Sequence, residues 1–337
     1  MRLYLALLAA APAWSAVVPV RFTALPPAPT AAYGAGQAAG LPTAALPTAA
    51  PLQVPVSAPL SASAPGIERI AVVGDAGTAD SHQAHIAQAM TAEHERAPFA
   101  SVLVLGDNVY QNGEPEKFDA AIREPYGPLF DGGVRFFPVL GNHDVRTGGG
   151  AAQRAYWGVP RWYRKSIGKV DVFALDTTVL LPHHQKNAYD ADLPEAERLG
   201  REQLAWLDKA LGESKADHVV VYGHHPMYVS TDENQKVEEA ARLRALLEPI
   251  LQKHGVKLYL AGHRHHYERS IPVGGVTHVI SGSGGQLSGG DDDRHPSGVA
   301  AKVVQKRHFL MLEAGPDGLR VTAMDKRGGI LDEFVVR

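Results

Sequence analysis

Five times in this chain a short apolar run stops at a glycine that is followed, within two residues, by Asp, Asn or His. The central case is Ser101-Val102-Leu103-Val104-Leu105, which has Val and Leu throughout and no alternation, as expected of a strand buried on both faces. Gly106 breaks the run, so Asp107 falls just past the strand's carboxyl end, where open α/β sheets place their ligand sites. A carboxylate there can bridge two cations, and Tyr110, three residues on, can turn a phenolate toward one of them. Taken alone, Asp107 also reads as a turn former and Tyr110 as a half-buried aromatic.

The other four runs decide between these readings. Ile67 to Val73 ends in Gly74-Asp75-Ala76-Gly77, and Phe136 to Leu140 in Gly141-Asn142-His143-Asp144. Val219 to Tyr222 leads into Gly223-His224-His225-Pro226, and Leu258 to Ala261 into Gly262-His263-Arg264-His265-His266-Tyr267. Each residue has an ordinary reading. Asp75 could form a turn or cap a helix, Asn142 and Asp144 could form turns, and His224 before Pro226 could be a core histidine. His263 and His265 alternate along what reads as an extended segment and should therefore point the same way. Chance rarely brings hard oxygen and imidazole donors to one edge of one sheet five times over, so the set reads as a metal site. The chain has no cysteine, so oxygen and imidazole nitrogen must hold any metal, which favours Fe, Mn, Zn or Mg.

Between these strands, Asp80 to Arg96, Glu197 to Leu211 and Lys236 to His254 read as helices, and Pro125 to Phe130 as a loop. Val170 to Leu175 reads as a strand closing on Asp176-Thr177-Thr178. In Glu197–Leu211, Leu199, Gln203, Trp206, Leu207 and Ala210 fall at helical spacing. The end of the chain reads as strands alone, at Thr277–Ser281, Phe309–Glu313, Leu319–Met324 and Ile330–Val336. Alternating strands and helices followed by strands predict an α/β fold of two packed sheets flanked by helices. About 270 such residues are enough for one large core.

Met1-Arg2, an apolar run from Leu3 to Ala13 and small residues around Ala13-Trp14-Ser15-Ala16 have the form of a signal peptide over 1–16. The run falls short of the roughly 20 residues that span a bilayer, so no membrane span is expected. A secreted or periplasmic location follows. Residues 17–66 are rich in Ala, Pro and Thr, with Leu-Pro-Thr-Ala-Ala at 41–45 and again at 46–50, and read as a linker to a catalytic domain over 67–337. A formal charge of −3 gives no excess of base to suggest nucleic acid as a partner.

The five blocks, in this order, resemble the calcineurin-like metallophosphoesterases and, within them, the purple acid phosphatases of the small tartrate-resistant-like branch. Tyr267-Glu268-Arg269 matches the tail of the plant-type members. The resemblance covers about 67–337 and implies a single-domain, four-layer αββα sandwich. It also implies hydrolysis of small phosphate monoesters by a hydroxide held on an Fe(III)–M(II) pair, with M being Zn, Fe or Mn. Carried over, Asp75, Asp107, Tyr110 and His265 would hold ferric iron, and Asp107, Asn142, His224 and His263 the divalent metal. One shared carboxylate holds such metals about 3.5–4 Å apart. His143 would bind the phosphoryl oxygen or protonate the leaving alkoxide, and Asp144 would hold its imidazole. Ordinary metallophosphoesterases carry a histidine where Gly77 stands here, so the first metal would lack a ligand unless Tyr110 supplies it.

The chain also departs from the family. No histidine stands between Tyr228 and Lys236, where members place substrate-facing histidines, and the additional domain of plant-type members is replaced by the Pro/Ala segment. His225 and His266 are candidates for the missing contact, while His183-His184 and Asp291-Asp292-Asp293 read as solvated loops. A phosphodiesterase or nucleotidase on the same scaffold, a non-catalytic metal-binding module and a redox role for a di-iron form are the competing readings.

Overall fold

In β1 (Glu68–Val73), Ile70 and Val72 face one apolar layer while Ala71 and Val73 face another, so the strand is buried on both sides. β1 belongs to a computed structural model that describes residues 67–185, 188–189, 192–230, 234–288 and 298–337. The expected signal peptide and linker, Asp291-Asp292-Asp293 and part of the Tyr228–Lys236 stretch lie outside the described residues.

The chain continues through α1 (Ser81–Arg96), β2 (Ser101–Val104), α2 (Gly127–Asp131), β3 (Arg135–Pro138), α3 (Ala151–Trp157), β4 (Tyr163–Ile167) and β5 (Val170–Ala174). Then come α4 (Leu193–Gly212), β6 (His218–Tyr222), α5 (Asn234–Lys253), β7 (Leu258–Ala261), β8 (Tyr267–Ser270) and β9 (Thr277–Ser281). β10 (Ala300–Val304), β11 (His308–Gly315), β12 (Gly318–Asp325) and β13 (Ile330–Val336) complete it. Asp80 caps α1, its carboxylate accepting from the amides of His82 and Gln83.

The strands form two sheets, ordered β13-β12-β11-β1-β2-β3 and β10-β8-β9-β7-β6-β5-β4. Side chains such as Val72, Leu103, Val172, Val220 and Leu260 fill the space between the sheets. The outer face of the first sheet packs on Ile86 and Met90 of α1. That of the second packs on Leu207 of α4 and on Leu243, Leu247 and Leu251 of α5. The result is the expected αββα sandwich.

β1, β2 and β3 run parallel, as do β5, β6, β7 and β9, so each sheet has a carboxyl edge from which loops emerge together. Here the sequence-based expectation is corrected. The five blocks do not share one edge of one sheet. Those after β1, β2 and β3 leave the first sheet, those after β6 and β7 the second, and the two edges meet across the sandwich.

Five elements were not anticipated, β8 among them. α2 replaces the expected loop around Pro125–Phe130, and α3, β4 and β10 carry no strong apolar period. β8 takes in Tyr267-Glu268-Arg269, and Arg269 there donates to Asp332 of β13 at 2.6 Å, which joins the two sheets at that end.

Candidate metal centre

Each block turns sharply as it leaves its strand. Asp75, Asp107 and His263 all adopt positive φ (52°, 51° and 68°), a region that non-glycine residues enter at a cost and that gathers at functional sites. His263 and His265 therefore lie on a tight bend rather than on the extended segment expected from their alternation. The bend sends them to two different neighbourhoods.

The first neighbourhood is rich in oxygen. Tyr110 Oη lies 3.0 Å from Asp107 Oδ2, 3.3 Å from Asp75 Oδ1 and 3.3 Å from His265 Nε2. His265 Nε2 is also 3.4 Å from Asp75 Oδ1. Asp75 and Asp107 are buried, and among the described residues no Lys or Arg pairs with either carboxylate. Two buried carboxylates without a cationic partner call for a cation. Burial and the two carboxylates push the Tyr110 phenol well above its ordinary pKa, so only a strongly polarising cation can draw out the phenolate.

Position 77, beside this cluster, has no room for a donor side chain. A Cβ at position 77 would sit 2.1 Å from the Asn108 carbonyl oxygen, so no side chain fits there without a shift of backbone. The same approach is tied by hydrogen bonds from Gly77 N to Asp107 O and from Tyr110 N to Gly77 O.

The second neighbourhood is rich in nitrogen. Asn142 Oδ1 lies 3.0 Å from His224 Nε2 and 2.9 Å from His263 Nδ1, and those two nitrogens are 3.3 Å apart. His224 Nδ1 donates to the Leu105 carbonyl at 2.8 Å, which leaves Nε2 facing the cluster. On the far side of His263, Nε2 lies 2.8 Å from Lys236 Nζ and 3.3 Å from the buried Glu239 carboxylate. Asp107 joins the halves, with Oδ2 toward Tyr110 and Oδ1 at 3.5 Å from His224 Nε2. Gly141 permits this approach, since a Cβ there would meet Asp107 Oδ1 at 2.2 Å. All seven expected metal ligands thus converge as two donor sets around one carboxylate. Hard oxygens on one side and imidazoles on the other fit a dinuclear metal centre.

His143 lines the cavity above this centre, about 350 Å³ in volume. Its Nδ1 donates to the Gln111 carbonyl at 2.7 Å, and its Nε2 lies 3.4 Å from Arg146 Nη2 and 4.0 Å from Asp107 Oδ2. The ring meets that of Tyr110 edge-on, with centroids 4.5 Å apart.

Asp144 does not hold this imidazole, contrary to expectation. Fully buried, it accepts from the amides of Asn108, Val109 and Gly141 and from the side chains of Asn108 and Gln153. Burial and the Asp107 charge push its carboxyl up to about 7, yet every neighbour of its oxygens is an N–H donor. Its task is to pin the loops that carry Asp107 and Asn142.

Two further expectations change. His266 is buried away from the cavity, with Nε2 at 3.1 Å from Glu268. His184 belongs to the cavity wall rather than to a solvated loop. Arg146, Lys236 and Glu239, also on that wall, escaped sequence reasoning. On α5, Lys236 and Glu239 look like any solvated polar pair, and only the packing of α5 against the β7 loop brings them to His263.

A model of the calcineurin-like phosphoesterase family matches residues 68–267. Tartrate-resistant acid phosphatase type 5 of Oryctolagus cuniculus is 29% identical over 297 residues, spanning 77% of this chain and 88% of the rabbit protein. The Homo sapiens protein of the same name is 30% identical over 257 residues, 69% of this chain and 78% of its own. Among solved structures, a purple acid phosphatase from yellow lupin (Lupinus luteus) seeds superposes with a TM-score of 0.65 at 20% identity, over 81% of this chain and 54% of the lupin chain. GAP50, described as the anchor in the inner membrane complex of Plasmodium, has the same TM-score at 18% identity, over 81% and 89% of the two chains. At these identities the two structures support the fold alone.

Proposed function

The chain belongs to the calcineurin-like phosphoesterase family, and on that premise we propose that it is an acid phosphatase of the purple type, hydrolysing small phosphate monoesters at an Fe(III)–M(II) centre. The observation that carries this reading is the placement of Tyr110 Oη among Asp75, Asp107 and His265, at a centre where Gly77 leaves no room for a histidine. Asp75, Asp107, Tyr110 and His265 would hold ferric iron, hard enough to take a phenolate. Asp107, Asn142, His224 and His263 would hold Zn, Fe or Mn. When bound, such a pair supplies Lewis acidity at the phosphoryl oxygens and an activated water for in-line attack.

The chain's own groups do the rest. Asp107 orients both donor sets through its two oxygens. His143, with Nδ1 tied to Gln111, presents Nε2 to the cavity, where it would bind a phosphoryl oxygen or deliver a proton to the leaving alkoxide. Arg146 stands beside it as a fixed positive charge.

Residues 1–16 would serve as a signal peptide and 17–66 as a linker, giving a secreted or periplasmic enzyme. Amino-terminal sequencing of the exported protein tests this. Among the described residues no helix is long and apolar enough to cross a membrane.

The decisive experiment on function is elemental analysis of the purified protein together with a phosphoester panel. Two metals per chain, at least one of them iron, and faster turnover of p-nitrophenyl phosphate than of bis-p-nitrophenyl phosphate are expected. The reverse preference would support a phosphodiesterase. Metal without turnover, and a dispensable His143, would support a non-catalytic module.

A further inference from the structure

His225 lies against the metal centre without being needed to complete either donor set. It is buried, lines the cavity, and its ring centroid is 4.5 Å from that of His263 and 4.9 Å from that of His224. A ring nitrogen of each of these three histidines falls within 4.8 Å of the others, close enough for a third imidazole on the second metal. The hydrogen bonds on the other side of the ring argue for a different use.

Thr177 Oγ1 accepts from the His225 backbone N–H at 3.1 Å and lies 2.8 Å from His225 Nδ1. Having accepted from the amide, the hydroxyl keeps its own proton to donate, and among the described residues Nδ1 is the acceptor within its reach, which favours Oγ1–H donating to Nδ1. An Nδ1 that accepts leaves the proton of the neutral ring on Nε2, the nitrogen on the edge away from Thr177. Ligating a cation needs a lone pair at that position. An N–H there suits an anionic oxygen instead.

We propose that His225 Nε2–H donates to a phosphoryl oxygen of the substrate, and of the phosphate released from it. The His225–Thr177 pair thereby supplies a phosphate contact at the edge of the second donor set. The inference rests on the phosphoesterase reading and adds to it a binding residue distinct from the metal ligands and from His143. It also ties the β5 loop, through Thr177, to recognition of the phosphoryl group.

The test uses the metal-loaded full chain, inorganic phosphate as the probe, calorimetric titration for affinity and elemental analysis for metal content. His225→Phe should retain both metals and bind phosphate about 10- to 100-fold more weakly, as loss of a hydrogen bond to a charged group implies. His225→Gln, whose amide nitrogen reaches the place of Nε2, should recover most of that loss. Thr177→Val leaves the imidazole in place but frees its proton to move to Nδ1, and should weaken phosphate binding several-fold. Wild-type phosphate affinity in His225→Phe or in Thr177→Val overturns the proposal. So does loss of the second metal from His225→Phe, which would make His225 a ligand. A wild-type protein that takes up metal yet binds no phosphate overturns the phosphoesterase reading itself, and this inference with it.

Discussion

The two sides of Asp107 are unlike. Toward Tyr110 the donors are two buried carboxylates, a phenol and a single imidazole. Toward His224 they are two imidazoles and an amide oxygen, with no charge beyond the shared carboxylate. Their supports differ as well. Asp75 is held by the backbone amide of His263, which donates to both of its oxygens, while His224 and His263 are held from behind by a carbonyl and a carboxylate. An anionic, oxygen-rich nest is satisfied by a hard, highly charged cation, and a neutral, nitrogen-rich one by a borderline divalent ion. The asymmetry is therefore built into the chain before any metal arrives, and it can be broken one side at a time.

The largest effect is expected from Tyr110→Phe, which strips one oxygen from the first side only. The ring and its packing on His143 remain, but the visible absorption of a phenolate–iron pair should vanish completely while the second metal stays. A violet or pink colour that survives the change, or a colourless wild-type protein with full ferric occupancy, would remove the phenolate and leave a generic dinuclear centre.

His143→Ala touches neither donor set. Both metals should stay, and turnover of an alkyl phosphate should fall by about 10²–10⁴. Loss of metal along with activity would place His143 among the ligands instead.

Glu239→Gln strikes the second side from behind. With Nδ1 of His263 on a metal, its Nε2 carries the proton, and of the two groups beside it, Lys236 Nζ at 2.8 Å and Glu239 at 3.3 Å, only the carboxylate can accept. Affinity for the divalent ion should drop about 10- to 100-fold, read as metal lost on dialysis against a chelator, with the visible band unchanged. Equal loss from both sides would dissolve the distinction drawn above.

The smallest effect on either side should come from the strands beneath. His308, at the start of β11, is fully buried, and its Nε2 lies 2.9 Å from Ser281 Oγ. Burial pushes its pKa down to about 4. Between about pH 6.5 and 4 the unfolded chain therefore binds the additional proton, so stability is present in full above about pH 6.5 and is lost as pH falls to about 4. The loss is about 3 kcal/mol in all. Thermal melts across this range should show the decline, and His308→Asn should flatten part of it without altering metal content. An unchanged slope would mean that other groups set the acid limit.

Much of this was legible in the residues alone. Unbroken apolar runs identified the parallel strands, because a strand buried on both faces leaves no polar alternation. A glycine and a donor at the end of each run marked the ligand loops. The absence of cysteine restricted the donors to oxygen and imidazole, and Gly77 pointed to Tyr110. Local pattern could not assign partners across space. Asp144 sits beside His143 in the chain yet bonds the loop that leaves β2, the start of its own loop and Gln153 of α3, because a buried carboxylate takes its orientation from the densest group of amides. His184, Lys236 and Glu239 carry no pattern at all, since a polar residue at a helix end looks the same whether water or a metal ligand covers it. Whether the five loops left one sheet or two was settled only when the sheets packed. The apolar faces bring the two carboxyl edges together, and that packing, which no single segment encodes, places an oxygen-rich and a nitrogen-rich cluster on either side of Asp107.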